Sequence, residues 1–276
     1  MREKDPAPSG PSFAMTPDFE AGASAPLRQA ATVLLVRDGE EGLEVFMVVR
    51  HRQIEFASGA LVFPGGSVDP DDLLIARGLD RSGLPFGEDE NACALRVAAV
   101  RETFEECGVL LARPQGSPSL AGGEKVAELV RAGAKTRFSE LLAAEGLEPA
   151  LDLLIPFAHW ITPPILPKRF DTHFFIAAAP ENQLAAHDGA ESVDSAWLNP
   201  ARARSEAAAG RYTMLFPTRL NMEMLGRQSD VSSALAAARA RRIVTVLPEA
   251  TKRDDGPGYW MRIPADAGYE GDVFAL

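Results

Sequence analysis

Between Cys93 and Cys107 the apolar residues Cys93, Val97, Val100, Phe104 and Cys107 recur at steps of four, three, four and three. That period is a helix with one buried stripe, and it commits the chain to packing this helix against a core. On the other face Glu102, Glu105 and Glu106 fall at i, i+3 and i+4, so three carboxylates share one side. The spacing predicts a helix over residues 90–107, with Gly108 as the residue that ends it. Like-charged neighbours at this spacing cost roughly 0.2–0.5 kcal/mol each on an exposed helix. They also lie near the C-terminus, where the helix dipole disfavours negative charge. Two readings follow: a solvated acidic face, or a cluster completed by a hard cation such as Mg²⁺ or Mn²⁺, which takes oxygen ligands.

The chain has 276 residues, and 46% of them are hydrophobic, so a sizeable core is available. The net charge of −11 argues against a nucleic-acid binder that works through its overall field. An anionic substrate would need local cations or a metal. Both cysteines lie on the apolar stripe and are expected to be buried thiols in a reducing compartment. No apolar run approaches the ~20 residues of a membrane span, and the N-terminus has no secretory h-region. Residues 1–26, rich in Pro, Gly, Ser and Ala with scattered charge, are expected to form a flexible segment.

Strands are expected at 30–37 and 43–50, joined by the turn Asp38-Gly39-Glu40-Glu41-Gly42. Val62-Phe63-Pro64-Gly65-Gly66 is a short extended piece, and its glycine pair permits close approach that a Cβ would forbid. An acidic stretch with Asp69, Asp71 and Asp72 precedes the glutamate helix, and a strand at 109–112 is expected to follow it. Short amphipathic helices are expected at 124–131 and 136–145, and strands at 153–162, 172–177 and 191–198. Pro200 begins an alanine-rich helix, helical periods recur at 217–226 and 230–241, and strands at 243–247 and 259–263 close the chain. Strands interleaved with helices give an α/β or α+β protein.

Arg101-Glu102-Thr103-Phe104-Glu105-Glu106-Cys107-Gly108-Val109 resembles the second half of the Nudix box, which ends Arg-Glu-U-x-Glu-Glu-x-Gly-U. Gly65-Gly66 supplies the other half. In the standard box a glutamate follows the second glycine by six positions and precedes the Arg-Glu pair by eight. Here the forward count reaches Asp72 and the backward count reaches Cys93, so a stretch is inserted inside the box. Cys93 belongs to the apolar stripe, which leaves Asp72 as the candidate for the missing carboxylate. An insertion at this place is similar to that of the coenzyme A diphosphatase group, in its peroxisomal Nudix 19-like branch. Val62-Phe63-Pro64-Gly65-Gly66 and Leu166-Pro167-Lys168-Arg169-Phe170-Asp171-Thr172-His173-Phe174-Phe175 carry the same likeness, which runs over residues 30–230. The chain ends Phe274-Ala275-Leu276, without the basic residue of a peroxisomal tripeptide, and a cytoplasmic location is expected.

The resemblance implies an α/β fold, a single Nudix α/β/α sandwich over residues 27–276 with a mixed sheet. The insertion inside the box would cover 67–89, and a helical addition 200–242. It implies Mg²⁺- or Mn²⁺-dependent hydrolysis of coenzyme A or acyl-coenzyme A to 3′,5′-ADP and a 4′-phosphopantetheine product. NADH, ADP-ribose and dinucleoside polyphosphates are the alternative substrates, and a non-catalytic nucleotide-binding module is the alternative outside enzymes. Glu102, Glu105 and Glu106 are the implied metal ligands, with a backbone carbonyl from Gly65 or Gly66. Arg101 would hold the carboxylates by charge-assisted hydrogen bonds. Glu191 lies on a loop that supplies a base in some Nudix enzymes. Arg50, His51 and Arg52, together with Lys168 and Arg169, are the candidate phosphate contacts. His173 alternates with Phe174 and Phe175 and is expected to be structural, and Trp160 and Trp197 are expected in the core. The expected partner is a small nucleotide, with no nucleic acid or membrane, and a homodimer is left open.

Overall fold

β1 (Leu27–Gly39) is the strand on which the others assemble. A computed structural model describes residues 25–50, 60–80, 89–133, 136–183, 185 and 192–276. β1 turns into β2 (Gly42–Arg50), with Val36 opposite Val45 and Gly39 opposite Gly42. Gly42 takes φ 95°, the left-handed conformation that this tight turn requires. β3 (Ala60–Val62) pairs antiparallel with β2, and β4 (Gly65–Ser67) pairs antiparallel with β1.

The acidic stretch that follows contains a helix that composition alone left unread. α1 (Pro70–Gly78) is closed by a capping box in which Asp69 accepts from the Asp71 N–H and Asp72 accepts from the Asp69 N–H, both at 2.8 Å. α2 (Glu90–Cys107) is the expected glutamate helix. Asp89 caps its start, and Gly108, at φ 66°, ends it. All five stripe residues are buried, and neither cysteine is in a disulfide.

The strand expected at 109–112 begins pairing only at its last residue, in β5 (Ala112–Pro114). Val109, Leu110 and Leu111 are buried but belong to no sheet. Buried Gln183 takes the place of a neighbouring strand: its Oε1 accepts from the Leu110 N–H (2.8 Å), and its Nε2 donates to the Leu110 carbonyl (3.1 Å). A fully apolar run gives no period with which to tell such a segment from a strand. α3 (Gly123–Ala132), α4 (Phe138–Glu145) and β6 (Leu147–Pro149) follow, and β6 pairs with β5.

β7 (Ile155–Ile161) and β8 (Arg169–Ala178) form an antiparallel pair, and β8 runs parallel to β1 along its length. β9 (Ser192–Leu198) pairs with β2. α5 (Pro200–Ala208) has Pro200 at its N1 position, as expected, and leads through β10 (Thr213–Met214) to α6 (Phe216–Leu225) and α7 (Val231–Ala240). β11 (Thr245–Val246) joins the main sheet beside β7. β12 (Glu249–Lys252), β13 (Tyr259–Arg262) and β14 (Val273–Ala275) make a separate three-stranded sheet. Only the middle strand of the three was expected from sequence.

The main sheet therefore has the order β10-β3-β2-β1-β8-β7-β11, with β4 also on β1 and β9 on β2. It mixes parallel and antiparallel pairs. Alternation along β1 divides the core: Val33 and Leu35 pack with the α2 stripe, while Leu34 and Val36 pack with Leu220 and Met222 of α6. Helices thus cover both faces of one sheet, the α/β/α arrangement expected. Trp160 is buried against Phe216 and Tyr269, and Trp197 packs edge-on to Phe46, so both serve packing. Among the described residues no helix is long and apolar enough to cross a membrane. Residues 1–24 of the expected flexible segment lie outside the described residues.

Candidate active site

Three elements meet at one end of β1. The C-terminal half of α2 brings the glutamates, β4 brings the glycine pair, and α1 brings Asp72. Arg101 joins them. Its Nη1 donates to Glu102 Oε1 and Glu105 Oε2, both at 2.9 Å. Its Nε and Nη2 form a two-pronged pair with the Asp72 carboxylate, again at 2.9 Å, and Nη2 also reaches the Ser67 carbonyl at 3.0 Å. A guanidinium has five N–H donors, and here each has a partner. Arg101 is buried, so it is an internal clamp and not a helix-surface ion pair.

Asp72 is fully buried, and its two oxygens are taken by Arg101 and by the Asp69 N–H. It answers the count from Gly66 by binding the arginine, on the side away from the glutamate face. Both of its oxygens are committed to hydrogen bonds inside the clamp. It links α1 to α2.

Glu106 is also buried, and its Oε2 accepts from the Gly65 N–H at 2.9 Å. Gly65 has φ 154°, and a Cβ there would stand 2.3 Å from the Ala31 carbonyl oxygen, so only glycine lets β4 lie this close to β1. At Gly66 a Cβ would fall 2.4–2.7 Å from the Glu102 carboxylate. The glycine pair is what allows the sheet backbone and the carboxylates to share one small volume.

The charge in that volume is uneven. Among the described residues, Asp72, Glu102 and Glu105 bond to one guanidinium and Glu106 bonds to the Gly65 N–H, and these four negative charges against one positive leave a formal excess of three. Burial pushes the Glu102 carboxyl up to about 7, with Arg101 pulling the other way. Burial likewise raises Glu105 and Asp72 against the same opposing arginine. Burial alone would lower the Arg101 pKa, but hydrogen bonding to Asp72 and the field of the carboxylates raise it, so it stays cationic. A partly buried set of hard oxygen donors with excess negative charge fits Mg²⁺ or Mn²⁺.

The other candidates separate. Arg169 opens β8 opposite Leu27 and donates through Nε to the Thr162 carbonyl at 3.1 Å. Lys168 precedes it and is exposed. Both stand at the end of β1 that carries β4, on the other side of β1 from that strand. Arg50 ends β2, but its side chain lies outside the described residues, as do His51, Arg52 and Glu191.

One cluster was missed from sequence. His159 on β7 stacks on His173 of β8, ring centroids 4.0 Å apart and planes 22° apart. Its Nε2 lies 2.5 Å from Asp171 Oδ1, and its Nδ1 lies 2.8 Å from Thr245 Oγ1. Burial, reinforced by the neighbouring His159, lowers the His173 pKa to about 4. The alternation Asp171-Thr172-His173 showed that two of these residues share a face, but only the pairing of β7 with β8 adds the third.

Comparison with known proteins agrees with this architecture. Residues 83–220, half of the chain, match the family model described as the NUDT19 Nudix domain. The human acyl-coenzyme A diphosphatase NUDT19 is 31% identical over 207 residues, covering 59% of this chain and 55% of that protein. Its chicken counterpart is 26% identical over 233 residues, covering 64% of this chain and 62% of the other. The chain thus spans only about half to three-fifths of these curated relatives. A crystal structure of a NUDIX hydrolase from Alicyclobacillus acidocaldarius is 31% identical with a TM-score of 0.64, covering 78% of this chain and 97% of that one. With the family match over half its length and a solved relative matched almost end to end, the chain belongs to the Nudix hydrolases, within the NUDT19 Nudix-domain family.

Proposed function

We propose that this chain is a metal-dependent diphosphatase that cleaves coenzyme A or an acyl derivative to 3′,5′-ADP and a 4′-phosphopantetheine product. The observation that carries the reaction class is the Arg101 clamp, which gathers Glu102 and Glu105 beside Glu106 and the Gly65–Gly66 backbone. Support for the substrate comes from relatives named acyl-coenzyme A diphosphatase in human, frog and chicken. Glu102, Glu105 and Glu106 would hold Mg²⁺ or Mn²⁺, with Gly66 offering its carbonyl. Such an ion neutralises phosphate charge and lowers the pKa of bound water. Arg101 holds Glu102 and Glu105 in place before substrate arrives. Lys168 and Arg169 are proposed to meet substrate phosphate, together with Arg50 and Arg52, whose side chains lie outside the described residues.

The test is an incubation of the EDTA-treated protein with coenzyme A, with and without added Mg²⁺, followed by mass spectrometry. Release of 3′,5′-ADP only with the ion is expected. ADP-ribose, NADH and dinucleoside polyphosphates run in parallel would show a different preference if the substrate assignment is wrong. Ligand binding without product from any of them would favour a non-catalytic module.

A second expectation concerns the glycines. In Gly66→Ala the atoms nearest the new Cβ are the end of a flexible side chain, the Glu102 carboxylate. The fold should survive, while the displaced carboxylate weakens Mg²⁺ affinity about tenfold, the size of effect seen when a ligand's surroundings are altered. Gly65→Ala meets backbone instead and should lower the Tm. A Mg²⁺ titration of rate alongside thermal melts separates the two.

A further inference from the structure

We propose that His159, Asp171 and His173 form a second cation site, separate from the glutamate cluster, for a borderline divalent ion such as Zn²⁺ or Co²⁺. The three ligand atoms lie within 4.8 Å of one another. Two imidazole nitrogens and one carboxylate oxygen are a set that suits zinc, cobalt or nickel, whereas the all-oxygen glutamate cluster suits harder ions. The two sites would therefore sort cations by chemistry. This inference does not depend on the hydrolase reading.

Register fixes where the cluster lies. Gly66, Ala31, His173, His159 and Thr245 form one row across five neighbouring strands. Residues opposite one another in a sheet point to the same face, and Ala31 and Phe175 pack in the α2-side core. The histidines are therefore on the α2 side of the sheet. Two strand spacings put His173 roughly 10 Å from Gly66 along the row. That separation makes the two centres neighbours on one face and not one site.

The Arg96 guanidinium over the Phe175 ring is near enough to act on His173 as a positive charge, and a bound ion would share the cluster's surroundings with it. Side-chain exposures of 17% for His159, 20% for Asp171 and 33% for His173 leave the cluster accessible from solvent while partly enclosing it. Thr245 Oγ1 sits 2.8 Å from His159 Nδ1. With Nε2 turned to an ion, Nδ1 carries the proton and donates to that hydroxyl, which fixes ring and tautomer. The distances show what must move. Asp171 Oδ1 is 2.5 Å from His159 Nε2 and 3.8 Å from His173 Nε2. Ligands around a tetrahedral ion at 2.0–2.1 Å stand about 3.3 Å apart. Entry therefore opens the first gap, closes the second, and turns the stacked rings so that both lone pairs meet the ion.

The test uses the full, tag-free chain stripped with EDTA and held in saturating Mg²⁺, titrated calorimetrically with Zn²⁺. A single equivalent is expected. His159→Ala and His173→Ala should each lower its affinity about tenfold or more, with Glu105→Gln close to wild type. Melting of the metal-free variants checks folding, and His173→Gln replaces His173→Ala if the latter unfolds. Co²⁺ added to the wild type should give the absorption of nitrogen ligation. Equal Zn²⁺ affinity in the wild type and the histidine variants would overturn the proposal. So would loss of binding in Glu105→Gln alone, or a Co²⁺ spectrum of oxygen ligands only.

Discussion

Glu106→Gln is expected to lower kcat for the proposed diphosphate substrate by about 10²-fold or more, the scale of losing one preorganised electrostatic group, with the Tm almost unchanged. Glu106 is buried, and its Oε2 accepts the Gly65 N–H at 2.9 Å. Glutamine has the same shape, and its carbonyl oxygen can keep that bond, so the joint between α2 and β4 survives. What disappears is one negative charge from a site with a formal excess of three. Glu105→Gln removes a charge from the more exposed rim of the same face, and its bond to Arg101 Nη1 can likewise pass to the amide oxygen. Rates at saturating substrate across a Mg²⁺ series, with melts of each variant, make the comparison. Wild-type-like turnover in both variants would end the assignment of these carboxylates to the metal.

How much of this site was legible in the sequence follows from the range of the interactions that build it. The α2 stripe and the carboxylate face are set by neighbours three and four residues apart, so they could be read directly and were found in place. The pairing of Arg101 with Asp72 spans 29 residues and two helices. Counting identified Asp72 as the odd carboxylate, but nothing local says that it points at the arginine. A local signal for α1 did exist. Asp69-Pro70-Asp71-Asp72 places an N-cap acid, a proline at N1 and acids in the first turn. The weak apolar pattern after it hid the helix. The three-stranded sheet at the C-terminus and the meeting of His159 with His173 depend on register between separate strands, which periodicity within each strand does not encode.

The buried clamp makes the second large expectation, one in which stability and activity come apart. Arg101→Met should destabilise the chain by about 3–5 kcal/mol, the cost of leaving one member of a buried ion pair without its partner. Asp72 is fully enclosed and would remain as an uncompensated charge or have to take up a proton. At roughly 2–4 °C per kcal/mol for a domain of this size, the Tm should fall by about 10 °C. Asp72→Leu should destabilise for the reciprocal reason, since two Arg101 donors lose their acceptor. The double variant Arg101→Met/Asp72→Leu removes both charges of this pair and should be more stable than Arg101→Met alone, because an apolar pair can replace a buried ion pair at little cost, while Glu102 and Glu105 lack their counter-charge in both. Its activity should not recover. Glu102 and Glu105 would still lack the guanidinium that aims them. A melt series with steady-state rates on the same four proteins tests this. A double variant no more stable than Arg101→Met alone would mean that the clamp stabilises by shape and not by charge compensation, and a double variant with restored kcat would remove Arg101 from the positioning role.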